Sequence, residues 1–269
     1  YHLLKAVPGS EKVKVGLVKN IFQFDPLRRW HLLDWAFSKI LNDVYTNAPL
    51  EFLKTGKSSF YMPGMVDNEM LNPEAPGTLD FIGLNYYSRM HVKGRLNPEE
   101  PFVFDTRQQD IMTDMGYPLY AEGFYRALKT ISDVGVPIYV TENGLADDKD
   151  TVRPLFIERY LYALNQALKE RIDIRGYFYW SLMDNFEWAE GYSMKFGLYE
   201  VNLETQERKL RKGSQPFIDM VTKRGADERG YLVRIGETAV DFTMDYTTGE
   251  QVKLSDLRGK VVVLQFTAS

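Results

Sequence analysis

The sequence contains no cysteine and only three histidines, His2, His31 and His91. Without a thiol, these residues cannot form a disulfide, a thiolate metal site or a thiol redox couple. Three widely spaced histidines also argue against a histidine-based metal site, and no cofactor is expected. No apolar run approaches the roughly 20 residues of a membrane span. No signal segment is visible either, so the expectation is a cytoplasmic protein with no membrane partner. Charge of one sign is also lacking: the net charge is only −4, which implies no nucleic-acid or anionic-membrane partner. Tyr1 rather than Met opens the chain, and the expectation is that it starts inside a longer protein.

What is present is a globular composition, 44% hydrophobic and 26% charged, in a length that suits one α/β barrel or two smaller domains. The most organised stretch is residues 136–144. Ile138 to Thr141 are β-branched or aromatic, as a strand favours, and Asn143-Gly144 is a turn signal. Upstream, Phe124, Ala127, Leu128 and Ile131 fall at helical spacing. Downstream, Pro154 sits where a first helical turn would, followed by Ile157, Tyr160, Leu161, Leu164 and Leu168 on one stripe. Helix, strand and helix in succession predict a parallel α/β sheet. Glu142 then stands at the C-terminal end of a strand, where barrel enzymes keep catalytic groups. Taken alone, a strand-end glutamate is as compatible with a loop cap as with catalysis.

Along the rest of the chain, residues 13–18 alternate into a strand, and residues 27–44 read as a helix. Trp30, Leu33, Phe37, Ile40, Leu41 and Val44 share one face of that helix. Residues 54–78 and 93–118 read as long loops on either side of a strand at 79–87. Residues 176–180 form a fourth, apolar-aromatic strand, of the kind buried in a barrel. Four strand units are half of the eight that close a barrel. Near residue 224 the alternation stops. A charged joint at 226–230 leads to short strand-like pieces, the last at 261–266.

The stretch richest in chemistry is Trp-Ser-Leu-Met-Asp-Asn-Phe-Glu-Trp at 180–188, with Phe196 just beyond. Aromatic faces beside a carboxylate suit a sugar, whose C–H faces stack and whose hydroxyls hydrogen-bond. An isolated Phe-Glu-Trp triplet would fit a buried aromatic cluster better. Together with Thr-Glu-Asn-Gly at 141–144 and Phe-Ile-Gly-Leu-Asn-Tyr-Tyr-Ser at 81–88, it resembles glycoside hydrolase family 1 in order and spacing. This is the retaining β-glucosidase and β-galactosidase family, with a (β/α)8 barrel. The resemblance covers residues 1–224.

That resemblance implies that Glu142 is the nucleophile and that Tyr87 hydrogen-bonds it. It implies that Asn85 lies near the same subsite, and that Trp180, Glu187 and Trp188 bind the glycone. Phe196 would be an aromatic wall. The implied partner is a β-linked sugar or glycoside. In this family the second carboxyl lies in an Asn-Glu-Pro motif, which the sequence does not contain. Asn72-Pro73-Glu74 and Asn97-Pro98-Glu99 hold the same residues in another order and read as turns. The expectation is therefore a C-terminal half-barrel without its acid/base, whose open edges offer a route to self-association.

Residues 235–243 and 252–269 resemble the start of a thioredoxin-like oxidoreductase of the peroxiredoxin type, cut off before its Cys-x-x-Cys. The domain expectation is 1–224 glycosidase-like and 225–269 thioredoxin-like. Two alternatives stand beside the glycosidase fragment: a non-catalytic carbohydrate-binding remnant and a redox protein. The missing thiol argues against the latter.

Overall fold

The structure is a computed structural model that describes residues 1–62, 66–225, 243–245 and 251–258. The chain divides into two compact units, Tyr1–Phe217 and Ile218–Ser269. The order of elements begins α1 (His2–Lys5), β1 (Gly16–Pro26), α2 (Leu32–Asn42), α3 (Ala48–Thr55), β2 (Lys57–Met62), β3 (Val66–Leu71). Next come β4 (Phe81–Gly94), β5 (Phe102–Asp105), α4 (Ala121–Ser132), β6 (Ile138–Asn143), α5 (Arg153–Lys169) and β7 (Ile174–Tyr179). The short ladder of β8 (Tyr199–Val201) and β9 (Arg208–Leu210) precedes α6 (Gln215–Gly225).

Strands β1, β4, β6 and β7 pair in parallel in that order, as the α/β alternation predicts. One face of this sheet carries the helices. Ile21 from β1, Ile82, Leu84 and Tyr86 from β4, and Ile138 and Val140 from β6 point into it. They pack there against Phe124, Leu128 and Ile131 of α4 and Phe156, Ile157 and Tyr160 of α5. The stripes read from the sequence for α4 and α5 fill this core, whereas the one read at 27–44 does not.

The other face holds the alternate residues. The Phe81 ring fills the space a side chain at Gly16 would need, and the Tyr139 ring does the same at Gly176. Large residues on the two central strands thus lean over glycines on the two outer ones. No element covers the ends of this layer among the described residues: Val18 on β1 is 39% exposed and Phe178 on β7 is 55% exposed.

Several elements differ from the sequence reading. The first strand starts at Gly16, not Val13, and runs to Pro26; the second extends past Tyr87 to Gly94. Residues 54–78 are not one loop, because β2 and β3 pair as an antiparallel hairpin. Their Ser- and Asn-containing composition hides these two strands from a reading by turn residues. Residues 93–118 likewise contain β5, whose Phe102, Val103 and Phe104 pair antiparallel with the extended end of β4.

The helix read at 27–44 begins only at Leu32, because Asp34 turns back to accept hydrogen bonds from the Arg28 and Gly94 backbones. Trp30 is consequently 96% exposed and belongs to no buried face. Fully buried β7 was expected; instead it is an edge strand among the described residues, with Phe178 facing out.

In the second unit, β10 (Thr243–Asp245) pairs antiparallel with β11 (Gln251–Lys253). The joint at 226–230, the strand expected at 261–266 and most of the thioredoxin-like stretch lie outside the described residues. Among the described residues no helix is long and apolar enough to cross a membrane, and no cluster of candidate ligands could hold a metal ion.

Candidate active site

Parallel strands β4, β6 and β7 end side by side, and their C-terminal ends carry the residues singled out by sequence. Asn85 of β4 pairs in register with Glu142 of β6. Tyr87, two residues further along β4, therefore projects on the same face as Glu142. Its phenol donates to Glu142 Oε2 at 2.7 Å. Thr141 Oγ1 donates to Asn85 Oδ1 at 2.6 Å, which fixes the amide beside that pair.

The backbone under the pair is held from the core side. Asn143 is fully buried; its amide donates to the Tyr86 carbonyl at 2.6 Å and accepts from Tyr177 Oη at 2.7 Å. Tyr160 Oη donates to the Tyr87 carbonyl at 3.1 Å. Asn143-Gly144 was read as a turn, yet Asn143 is still in the strand and Gly144 serves another purpose. The Trp180 carbonyl occupies the place a side chain at Gly144 would need.

From the end of β7, residues 181–198 form a loop closed on itself. Ser181 N–H donates to the Phe196 carbonyl, and Leu198 N–H donates to the Ser181 carbonyl at 2.9 Å. Asp184 Oδ1 accepts from Gly197 N–H at 3.0 Å. Phe196 is thereby buried edge-to-face against Tyr87, ring centroids 6.2 Å apart. Glu187 is carried by the same loop. The Trp180 side chain lies close enough to hold the Glu187 carboxyl down against the effect of burial.

Electrostatics tie these groups together. Burial, then the Glu142 charge and hydrogen bond, and then the Glu187 charge push the Tyr87 phenol far above its ordinary range. It stays a neutral donor. Burial raises the Glu187 carboxyl; the Trp180 side chain opposes this and the Glu142 charge adds to it. One Glu187 oxygen, Oε2, is buried without a hydrogen-bond partner. A carboxylate oxygen left in that state is an acceptor waiting for a donor such as a hydroxyl.

Of the residues predicted from sequence, the structure brings Glu142, Tyr87, Asn85, Trp180, Glu187 and Phe196 to one end of the sheet. Trp188 is different: its indole is 81% exposed and faces solvent. Sequence reasoning missed Tyr117. Burial and then the Glu187 charge raise its phenol, and its ring meets Phe22 edge-to-face at 5.6 Å. It comes from the stretch at 93–118 that reads as a long loop, and no local signal marks it.

Comparison with known proteins gives the following. The model of Glycosyl hydrolase family 1 matches residues 26–226. The chain is 39% identical over 168 residues to a beta-galactosidase of Pyrococcus woesei, a match spanning 56% of this chain and 33% of that protein. It is 31% identical over 262 residues to beta-glucosidase A of Thermotoga maritima, spanning 85% of this chain and 56% of that one. Among solved structures, the beta-glycosidase from Pyrococcus horikoshii superposes with a TM-score of 0.66 at 35% identity. That match covers 77% of this chain and 48% of that chain. The matches thus span a third to just over half the length of these relatives.

Proposed function

The chain belongs to glycosyl hydrolase family 1, and from that premise we propose that its strand-end site is the nucleophile side of a retaining β-glycosidase centre. The observation that carries the reading is the 2.7 Å hydrogen bond from Tyr87 to Glu142 at the end of β6. In this reading Glu142 attacks the anomeric carbon of a β-linked glucoside or galactoside. The bond to the leaving oxygen breaks as that oxygen takes a proton from a general acid. Water then cleaves the glycosyl ester and returns Glu142 as carboxylate. The neutral Tyr87 phenol is already aimed at the ionised form, so no reorganisation is needed before attack.

Around that reaction, Trp180 forms the floor of the glycone subsite and Phe196 its wall. Asn85 and Glu187 bind hydroxyls, and the unpartnered Glu187 oxygen accepts from O4 and O6. A 6-phosphate at that point would meet a like charge, so the substrate is non-phosphorylated.

The reaction needs a second carboxyl about 5–5.5 Å from the first, and the family's Asn-Glu-Pro is absent from these residues. We read the four parallel strands as the C-terminal half of an eight-stranded barrel, with the acid/base on the other half. The exposed ends of the inner layer at Val18 and Phe178 support this. Beyond residue 226, where the family match ends, no activity is assigned, and the comparisons give no support to the thioredoxin-like reading of residues 225–269.

The test is a fluorinated glycoside inactivator with a good leaving group. It is applied to a hybrid completed with the N-terminal half of the Thermotoga maritima relative. Peptide mapping should find the label on Glu142; labelling elsewhere, or full activity in Glu142→Gln, ends the reading. The lack of a second carboxyl favours one other reading, a carbohydrate-binding remnant. It predicts sugar binding by the hybrid with neither labelling nor turnover.

A further inference from the structure

The ends of β4, β6 and β7 and the 181–198 loop carry the site, and one buried side chain bonds to segments adjoining three of these four: β6, β7 and the loop. Arg153 stands in the first turn of α5 with none of its surface exposed. Nη1 donates to Tyr179 Oη at 2.9 Å and to the Phe196 carbonyl at 3.2 Å, and reaches the Leu145 carbonyl at 3.4 Å. Nη2 donates to the Asp147 and Lys195 carbonyls, both at 2.9 Å. Nε donates to Asp150 Oδ1 at 2.9 Å.

Leu145 follows Glu142 by three residues, Tyr179 precedes Trp180 by one, and Phe196 is the wall that meets Tyr87. A buried guanidinium is expensive to desolvate, and only one of its partners here is a carboxylate. The other five acceptors are a phenol and four backbone carbonyls, all on segments that lead to or from the site. A helix stapled to its own loop would not need them: Asp147 Oδ2 already holds the start of α5, accepting from the Val152 and Arg153 N–H groups at 2.7 and 2.8 Å. The other side of the 181–198 loop has its own anchor, the buried Arg211–Asp184 ion pair at 2.8 Å. Glu187 hangs between the two fixed points.

We propose that Arg153 is a positioning residue for the sugar site: its guanidinium sets the separation between Glu142 on β6 and the Trp180–Phe196 wall. The sugar rests on the function proposed above; the clamp does not. Lysine cannot replace it, because one ammonium is a point donor and cannot span acceptors that lie along two edges of a planar fork. A displacement of about 1 Å can cost a catalytic site about 10²-fold.

The test uses the 269-residue chain labelled with 5-fluorotryptophan, whose four resonances are assigned by Trp→Phe substitution. Each variant is titrated with isofagomine, a cationic sugar mimic that would pair with Glu142. Arg153→Lys and Arg153→Met should move the Trp180 resonance and weaken isofagomine binding at least tenfold. Leu164→Ala, a core change on α5 that loses comparable melting temperature, should change neither. The proposal is overturned if Arg153→Lys keeps the wild-type resonance and affinity, or if Leu164→Ala reproduces both changes. Should both Arg153 variants fail to fold, Tyr179→Phe removes the guanidinium's bond to β7 and must still weaken binding; unchanged affinity there overturns the proposal. Absence of isofagomine binding by the wild type would count against the proposed function, and the Trp180 resonance alone would then decide the role of Arg153.

Discussion

The Trp180 carbonyl stands where Gly144 would carry its Cβ, so β6 and β7 meet directly behind Glu142 at a distance only glycine permits. Trp180 N–H completes the contact by donating to the Asn143 carbonyl at 3.0 Å. The obstacle is backbone rather than a flexible side chain, so it cannot swing away. Gly144→Ala should cost about 1–3 kcal/mol, as overpacking of a tight site does. It should also shift Trp180. Urea unfolding and near-ultraviolet circular dichroism measure the two effects, and a Gly144→Ala chain unchanged in both would contradict the tight approach.

Glu187 presents a conflict between stability and binding. Burial raises its carboxyl first, the Trp180 side chain opposes, and the Glu142 charge adds to the rise. A carboxyl raised in the folded state contributes stability below its unfolded value, and loses it as pH climbs through the folded one. At neutral pH the ionised group therefore weighs against the fold. Glu187→Gln should melt at the same or a higher temperature at pH 7, with the difference fading toward pH 4, while sugar binding weakens. A lower melting temperature at pH 7 with none of that pH dependence would show that the charge is already compensated.

Tyrosines under the site predict an alkaline limit. Burial is the first cause of the rise at Tyr87, Tyr86, Tyr160, Tyr177 and Tyr179; at Tyr87 the Glu142 charge comes next. Phenols raised in the folded state keep their stabilising contribution below about pH 10, the ordinary tyrosine value, and lose it above. Stability should hold to about pH 10 and then fall steeply. The tyrosinate absorbance of Tyr87, read as wild type minus Tyr87→Phe, should appear only with unfolding. Its appearance in the folded chain near pH 10 would mean that water reaches the phenol.

The parts legible in the sequence are those set by local periodicity. Phe124, Ala127, Leu128 and Ile131 announce α4 because one face of that helix is buried against β4. Ile138 to Glu142 announce a strand with a carboxylate at its end. The pairing of Tyr87 with Glu142 spans 55 residues and became readable only through family resemblance, since no spacing rule joins two strands. Arg153 was invisible for the same reason. In sequence it is a cation at a helix start, where the macrodipole disfavours it, and its partners Lys195 and Phe196 lie more than 40 residues away. Trp30 misled because its spacing continued the α2 stripe, while a buried Asp34 had already set the helix start.

The last prediction concerns the chain by itself. General-acid catalysis contributes about 10²–10⁴-fold, and in the reading above no residue of the half-barrel supplies it. Structure compounds the chemistry. Outer strands β1 and β7 leave hydrogen-bonding edges, Phe178 and Val18 end an inner layer that nothing caps among the described residues, and Trp188 stands in solvent. Edges and apolar surface of this kind favour pairing with another chain. The purified chain should therefore elute larger than a monomer, bind a hydrophobic dye, and leave alkyl β-glycosides uncleaved. Phe178→Glu should shift elution toward the monomer, because a charge on that surface opposes stacking against a second copy. An aryl glycoside with an activated leaving group needs little proton donation, so it gives the chain its best chance of turnover. Clear Glu142-dependent release of such an aryl group by a monodisperse monomer would show that half a barrel suffices, and the requirement for the other half would be wrong.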